Sequence, residues 1–249
     1  MTLNLVIFVF ILFFNPTLTY KPVVLIHGIM TGSGSMEMIS RRIQEKHPGT
    51  KVYNVDRFES WSSLETMWHQ VLEIGKDVAN ISSQYPNGIN LIAGFLHVVF
   101  PGLVKETAYE LFYSKVGQHT SVGNYWKDPY HQKLYETYSV YLPYINNHII
   151  STKSNDFKNN LLQLKRLVLI GGPDDQVITP WQSSQFGYYD ANETVIEMRE
   201  QDIYVEDRIG LKALDKSKRL HIVTVPGVNH FNWHMNVSIV DDYLLPYLD

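Results

Sequence analysis

Two acidic residues and one histidine stand where chemistry could be done. Asp174 and Asp175 follow Leu167-Val-Leu-Ile-Gly-Gly-Pro173, and His230 follows Leu220-His-Ile-Val-Thr-Val-Pro-Gly-Val-Asn229. A carboxylate beside an imidazole can fix its tautomer and stabilise its protonated form, which makes the imidazole a general base. Asp175, two residues before Val177, is the better candidate for that carboxylate, and Asp174 is the alternative. The plain reading of Gly-Pro-Asp-Asp is a turn, because aspartate is common there. His230 and His234 have i, i+4 spacing, but no glutamate lies between them and no third ligand is placed, so no metal is expected. A further candidate is Ile29 in His27-Gly-Ile-Met-Thr-Gly-Ser-Gly-Ser35. There the small Gly28 would let the Ile29 N–H approach a developing oxyanion. The alternative is a flexible strand-to-helix connection. It is not a phosphate loop, since no Gly-Lys-Ser/Thr follows.

These residues need strands to carry them. Val23 to Ile26 and Leu167 to Ile170 are unbroken apolar runs of the length and type buried in a parallel sheet, and Ile89 to Ala93, after the Pro86-Asn-Gly88 turn, also reads as a strand. Lys51 to Asp56 and Leu220 to Val225 also read as strands. Between them, Met36 to Lys46 reads as a helix, and Ser62 with Glu65 has the spacing of a capping box. Leu64, Met67, Trp68, Val71, Leu72, Val78 and Ile81 form an apolar stripe at helical spacing, expected to pack into the core. Alternating strand and helix predicts an α/β fold with a doubly wound, mostly parallel sheet. In such sheets ligands bind beyond the strands' C-terminal ends, where the candidate residues stand. An acid after one late strand and a histidine after the next is the chain order of an α/β-hydrolase.

The region after Gly94 is harder to place. Leu103 to Lys115 reads as a helix, while Gln118 to Gly123 has too few apolar residues for a strand. Asn124 to Asn147 is rich in tyrosine, which suits an irregular lid or pocket wall as well as an aromatic surface excursion. A helix is expected from about Val237 to Leu248.

The bulk numbers narrow the function. The 249 residues fit one domain, 21–249, with an aromatic-rich lid region near 95–165. A net charge of -4 leaves no footprint for nucleic acid. Met1 to Tyr20 reads as a secretory signal, because Leu5 to Phe14 is too short to span a membrane and Thr17 and Thr19 are small. Sequons at Asn80, Asn192 and Asn236 fit that route. Cysteine is absent, so packing alone must stabilise the fold.

The expected nucleophile is missing. No Gly-x-Ser-x-Gly occurs, and after Ile89 to Ala93 the chain reads Gly-Phe-Leu-His-Val98. Yet long stretches resemble the palmitoyl-protein thioesterase family, in its lysosomal thioesterase 2-like branch. They are Leu167-Val-Leu-Ile-Gly-Gly-Pro-Asp-Asp-Gln-Val-Ile-Thr-Pro-Trp181 continuing to Thr194, Val24-Leu-Ile-His-Gly28, His47-Pro-Gly-Thr50, Asn124-Tyr-Trp-Lys-Asp-Pro-Tyr-His131 and Gly210-Leu-Lys212. The resemblance implies an α/β-hydrolase fold, lysosomal delivery, no cofactor, and long-chain acyl thioesters as substrates, S-palmitoyl groups or acyl-CoA among them. It implies Asp175 as triad acid, His230 as base and Ile29 as oxyanion donor. The family's strand, its serine within Tyr-Ser-Gln-Gly-Gly, the following helix and the next strand should sit between Ala93 and Phe95. A strand–helix–strand unit takes about thirty residues, and its clean loss is what a skipped exon or a misjoined gene model leaves. The expectation is therefore a truncated α/β-hydrolase with impaired activity. The alternative is a non-catalytic pseudo-hydrolase, or a secreted glycoprotein that binds acyl chains.

Overall fold

A computed structural model describes residues 20–94 and 108–248. The expected leader, the apolar run after Gly94 and the first residues of the helix expected at Leu103 lie outside the described residues. At the edge of that range Tyr20 stacks its ring on His47, with centroids 3.9 Å apart.

The chain is a mixed α/β molecule built on parallel strands. Strand β1 (Val23–Ile26) lies between β2 (Val52–Val55) and β3 (Asn90–Ala93), parallel to both, with Leu25 opposite Asn54 on one side and Ile92 on the other. Its Val-Val-Leu-Ile run has no polar side because both faces are covered: Val23, Val24 and Leu25 are fully buried. Helix α1 (Glu37–Lys46) links β1 to β2, and α2 (Met67–Ser83) links β2 to β3.

A second parallel pair follows. Strand β4 (Leu167–Gly171) lies beside β7 (Leu220–Thr224), with Gly171 opposite Thr224. Between them β5 (Tyr188–Tyr189) and β6 (Val195–Ile196) form a small antiparallel hairpin whose turn carries Asn192. Asn80, Asn192 and Asn236 are all exposed.

The C-terminal segment joins the two parallel sets. Val240 and Leu248 pack with Val23, Leu25, Met36, Ile39 and Ile43, while the adjacent Ile239 packs with Val225 and Val228. Arg42 on α1 grips both carboxylate oxygens of Asp241. The helix expected there is irregular, with α, π and 3-10 turns between Val237 and Tyr247.

Among the described residues the two parallel sets are separate sheets. Among the described residues β3 bonds only to β1, and β4 only to β7. Leu91 on β3 is 53% exposed.

Three local expectations are corrected. Ser62 does not cap a helix with Glu65; its hydroxyl donates to the Glu59 carbonyl inside a 3-10 turn, Ser60–Leu64. Helix α2 begins later, and the free Met67 N–H is taken by the side chain of distant Asn124. The apolar stripe on α2 is not all core, since Val71 is 40% and Leu72 62% exposed. The tyrosine-rich stretch is not irregular either. It folds into short helices at Ser121–Tyr125, Gln132–Tyr138 and Leu142–Ile145, after others at Ala108–Phe112 and Lys115–Gln118.

Candidate active site

The loops after β4 and β7 are fastened to each other before any side chain is considered. The Val225 N–H donates to the Gly171 carbonyl at 2.9 Å and extends the strand pairing by one residue. Gly172 then lies so close to Val225 that a Cβ there would stand 1.9 Å from its carbonyl oxygen. Asp174 accepts from the Gly227 N–H at 2.6 Å, and Gly227 has a φ of 76°, which a glycine adopts without strain. Asp174 is thus a loop fastener. The His230 N–H donates to the Asp175 carbonyl at 3.0 Å.

Asp175 and His230 meet on this platform. The imidazole Nδ1 lies 2.8 Å from Oδ1 and 3.0 Å from Oδ2 of Asp175, and both residues are buried. The carboxylate accepts three further hydrogen bonds. Ile178 N–H donates at 2.8 Å and Val177 N–H at 3.2 Å, both to Oδ1, and Trp233 Nε1–H donates at 2.7 Å to Oδ2. Burial alone would push the Asp175 carboxyl upward. The bonds from His230, Ile178 and Trp233 outweigh it and hold the carboxyl below its usual value. An ionised Asp175 accepts only, so Nδ1 carries a proton, and in the neutral ring Nε2 holds the lone pair.

That lone pair is unmet. His230 Nε2 is buried and has no hydrogen-bond partner among the described residues. Among the described residues no serine hydroxyl bonds to it. His234, half-buried nearby, has its imidazole pulled down, first by burial and then by His230. Among the described residues no group of three metal-ligating side chains forms around the two histidines.

Ile29 sits in a turn beyond β1, half-buried. The next N–H, of Met30, is taken by the Ser63 hydroxyl at 2.7 Å, and the Gly28 carbonyl accepts from Thr31 Oγ1 at 2.8 Å. The His27 ring lies between the Gly28 and Arg57 carbonyls, 2.8 and 2.9 Å away. Nothing among the described residues accepts from the Ile29 N–H, which leaves it free to donate to a ligand.

Trp233 escaped the sequence reading. Its one signal is a position three residues after His230, within reach of whatever His230 touches. Two cavities, of about 270 and 260 Å³, lie beside Asn147 and Lys158 and beside Gln185 and Ile222, and neither is lined by Asp175 or His230.

Comparison with known proteins adds an independent line. A family model described as palmitoyl protein thioesterase matches in two pieces, residues 22–95 and 94–230. A lysosomal thioesterase PPT2 homolog from Drosophila melanogaster is 42% identical over 269 residues, covering 94% of this chain and 93% of that protein. The lysosomal thioesterase PPT2 of Homo sapiens is 35% identical over 267 residues, covering 92% and 88%. The fly alignment spans 269 positions but takes up 94% of a 249-residue chain, so roughly 35 positions have no residue here. A marine microorganism esterase superposes with a TM-score of 0.31 at 11% identity over 90% of this chain and 94% of its own, too loosely to bear on the fold.

Proposed function

The chain belongs to the palmitoyl protein thioesterase family, and on that premise we infer that it is a thioester hydrolase that keeps the acid and base of its site and has lost the nucleophile. The observation that carries this reading is the buried His230 Nε2, held in its basic tautomer by Asp175 and left without a hydroxyl to act on.

In the complete site, His230 would take the proton of an attacking serine as that oxygen bonds to the thioester carbonyl carbon. Asp175 would stabilise the imidazolium, and the Ile29 N–H would meet the developing oxyanion. As the C–S bond breaks, His230 would give the proton to the departing thiolate, and water, deprotonated in its turn by His230, would release the acid from the acyl-enzyme. This chain has the proton acceptor but no serine to start the sequence, so turnover rests on water and binding alone.

The architecture we propose is an α/β-hydrolase domain over 21–249, short of the nucleophile strand–helix–strand unit. Three findings favour it: the family match breaks at 94–95, about 35 alignment positions are empty, and among the described residues β3 pairs only with β1 and β4 only with β7. The substrates we propose are S-palmitoyl groups and long-chain acyl-CoA. Relatives named as lysosomal, a leader-like first twenty residues and three exposed sequons support delivery to the lysosome. Among the described residues no helix is long and apolar enough to cross a membrane.

A single-turnover assay with palmitoyl-CoA tests the loss of the nucleophile. No burst of free thiol is expected, and His230→Gln should not change the slow rate by more than about tenfold. A burst that disappears in His230→Gln would overturn the reading.

A further inference from the structure

The turn that carries Ile29 is fastened to the loop after β2. The Met30 N–H donates to Ser63 Oγ at 2.7 Å, and the Ser60 N–H donates to the Thr31 carbonyl at 2.7 Å. Ser33 donates to the Glu59 carboxylate through both its N–H, at 2.7 Å, and its hydroxyl, at 2.6 Å. Each of these bonds has a fixed donor. The bonds of His27 do not, because the number of protons on the ring decides which of them form.

His27 is buried, and both of its ring nitrogens face carbonyl oxygens: Nδ1 lies 2.8 Å from that of Gly28 and Nε2 2.9 Å from that of Arg57. A carbonyl oxygen only accepts, so each contact is attractive only if the nitrogen carries a hydrogen. The neutral ring has one such hydrogen and turns a lone pair on the other oxygen. The imidazolium, with a donor at each nitrogen, satisfies both. The two oxygens do not depend on it equally. The Gly28 carbonyl also accepts from Thr31 Oγ1 at 2.8 Å, whereas among the described residues no other donor reaches the Arg57 carbonyl. The neutral ring therefore keeps Nε2–H on Arg57 and gives up Nδ1–H. Glu59 is the charged group that faces the ring. Its carboxyl is held below its usual value, first by the bonds from Ser33 and in smaller part by His27. The Arg57 guanidinium is turned away to Asp77 and Glu73 on α2.

We propose that His27 is a pH-dependent positioning residue, whose doubly protonated ring holds the Gly28–Ile29 peptide and so aims the Ile29 N–H at the oxyanion. The proposal rests on reading that N–H as the oxyanion donor. The Gly28 carbonyl and the Ile29 N–H belong to one peptide group, which is planar and trans, so they point in opposite directions. Fixing the oxygen fixes the line along which the N–H donates. A charged donor on the oxygen also draws density from the nitrogen and makes its hydrogen a stronger donor. Loss of the Nδ1 proton to water leaves the peptide to Thr31 alone. Histidines change charge between about pH 5 and pH 8, so the hold is complete in an acidic compartment such as the lysosome and weakens toward neutral pH.

The test is NMR of the purified 15N-labelled full chain from about pH 5 to about pH 8. At the acid end both His27 ring nitrogens are expected to carry a proton. At the other end Nδ1 should have lost it and Nε2 kept it, the reverse of His230, whose Nδ1 keeps its proton against Asp175. Over the same interval the Ile29 amide nitrogen should move upfield as the carbonyl bonded to it loses its charged donor. His27→Gln should abolish that movement with circular dichroism unchanged, and His230→Gln should leave it in place. If His27→Gln does not fold, the ring signals of the parent chain still decide. A His27 ring with a single proton at the acid end, or one that loses its second proton with no response at Ile29, would overturn the proposal. So would an Ile29 movement that His230→Gln abolishes. Octanoyl-CoA added at the acid end probes the reading beneath. An Ile29 amide that ignores it while the His27 titration persists would contradict Ile29 as oxyanion donor, and would confirm the hold on the peptide while removing its catalytic purpose.

Discussion

Asp175→Asn keeps the shape of the side chain and removes its charge, and it turns one of the acceptor oxygens into a donor. The groups it now satisfies are His230 Nδ1, the Ile178 and Val177 N–H groups and Trp233 Nε1. Leaving buried donors unmatched costs about 1–3 kcal/mol, so the melting temperature of Asp175→Asn should fall while its circular dichroism stays unchanged. The pH dependence has a definite sign. The folded-state carboxyl of Asp175 is held low, so its contribution is complete above the unfolded value of about 3.9 and is lost as pH falls through the lowered folded value. Acid titration of stability should therefore be shallower in Asp175→Asn than in the parent. How much of this was legible is clear from the residues themselves. Asp175 and His230 announced themselves through strand-end position and chain order. Asp174 could be separated from Asp175 only by geometry, since its acceptor role depends on where Gly227 falls.

At the scale of elements, β1 and β4 could be read as short apolar runs, and β2, β3 and β7 as short segments dominated by apolar residues and bounded by glycine, proline or a polar turn. Helix α2 could not be placed as well, for a physical reason. Its start is satisfied by Asn124, distant in sequence, so no local pattern marks it. Its apolar stripe reports which face was built for burial, whereas Val71 and Leu72 show that this face is not fully covered here. The same contrast gives a prediction. Leu25→Ala in the fully buried β1 should cost about 2–5 kcal/mol, whereas Leu91→Ala on the open β3 should cost under about 1 kcal/mol, both measured by denaturant unfolding. The seam between the β4 and β7 loops is less forgiving. In Gly172→Ala the new methyl would meet the Val225 carbonyl, backbone that cannot swing aside. A loss of about 1–3 kcal/mol is expected, together with a shift of the His230 ring signals in NMR as the two loops part. Unchanged His230 signals in a folded Gly172→Ala would show that the seam does not position the pair.

For the molecule as a whole, the C-terminal segment ties the two parallel sets together, which among the described residues share no continuous sheet. Val240 and Ile239 face different clusters from adjacent positions, and Arg42 with Asp241 ties α1 to the same segment. A unit of about thirty residues placed between Ala93 and Gly94 would supply a strand to the open edges and a helix to the exposed faces. Transcripts of the same locus read across that junction should include a longer product carrying the inserted codons. The central claim, an acid–base pair with nothing to activate, is tested most directly by labelling the purified chain with a fluorophosphonate probe, which reports an activated serine. The account predicts no labelling, and the same absence in His230→Gln. A labelled serine in this chain whose labelling is lost in His230→Gln would contradict it.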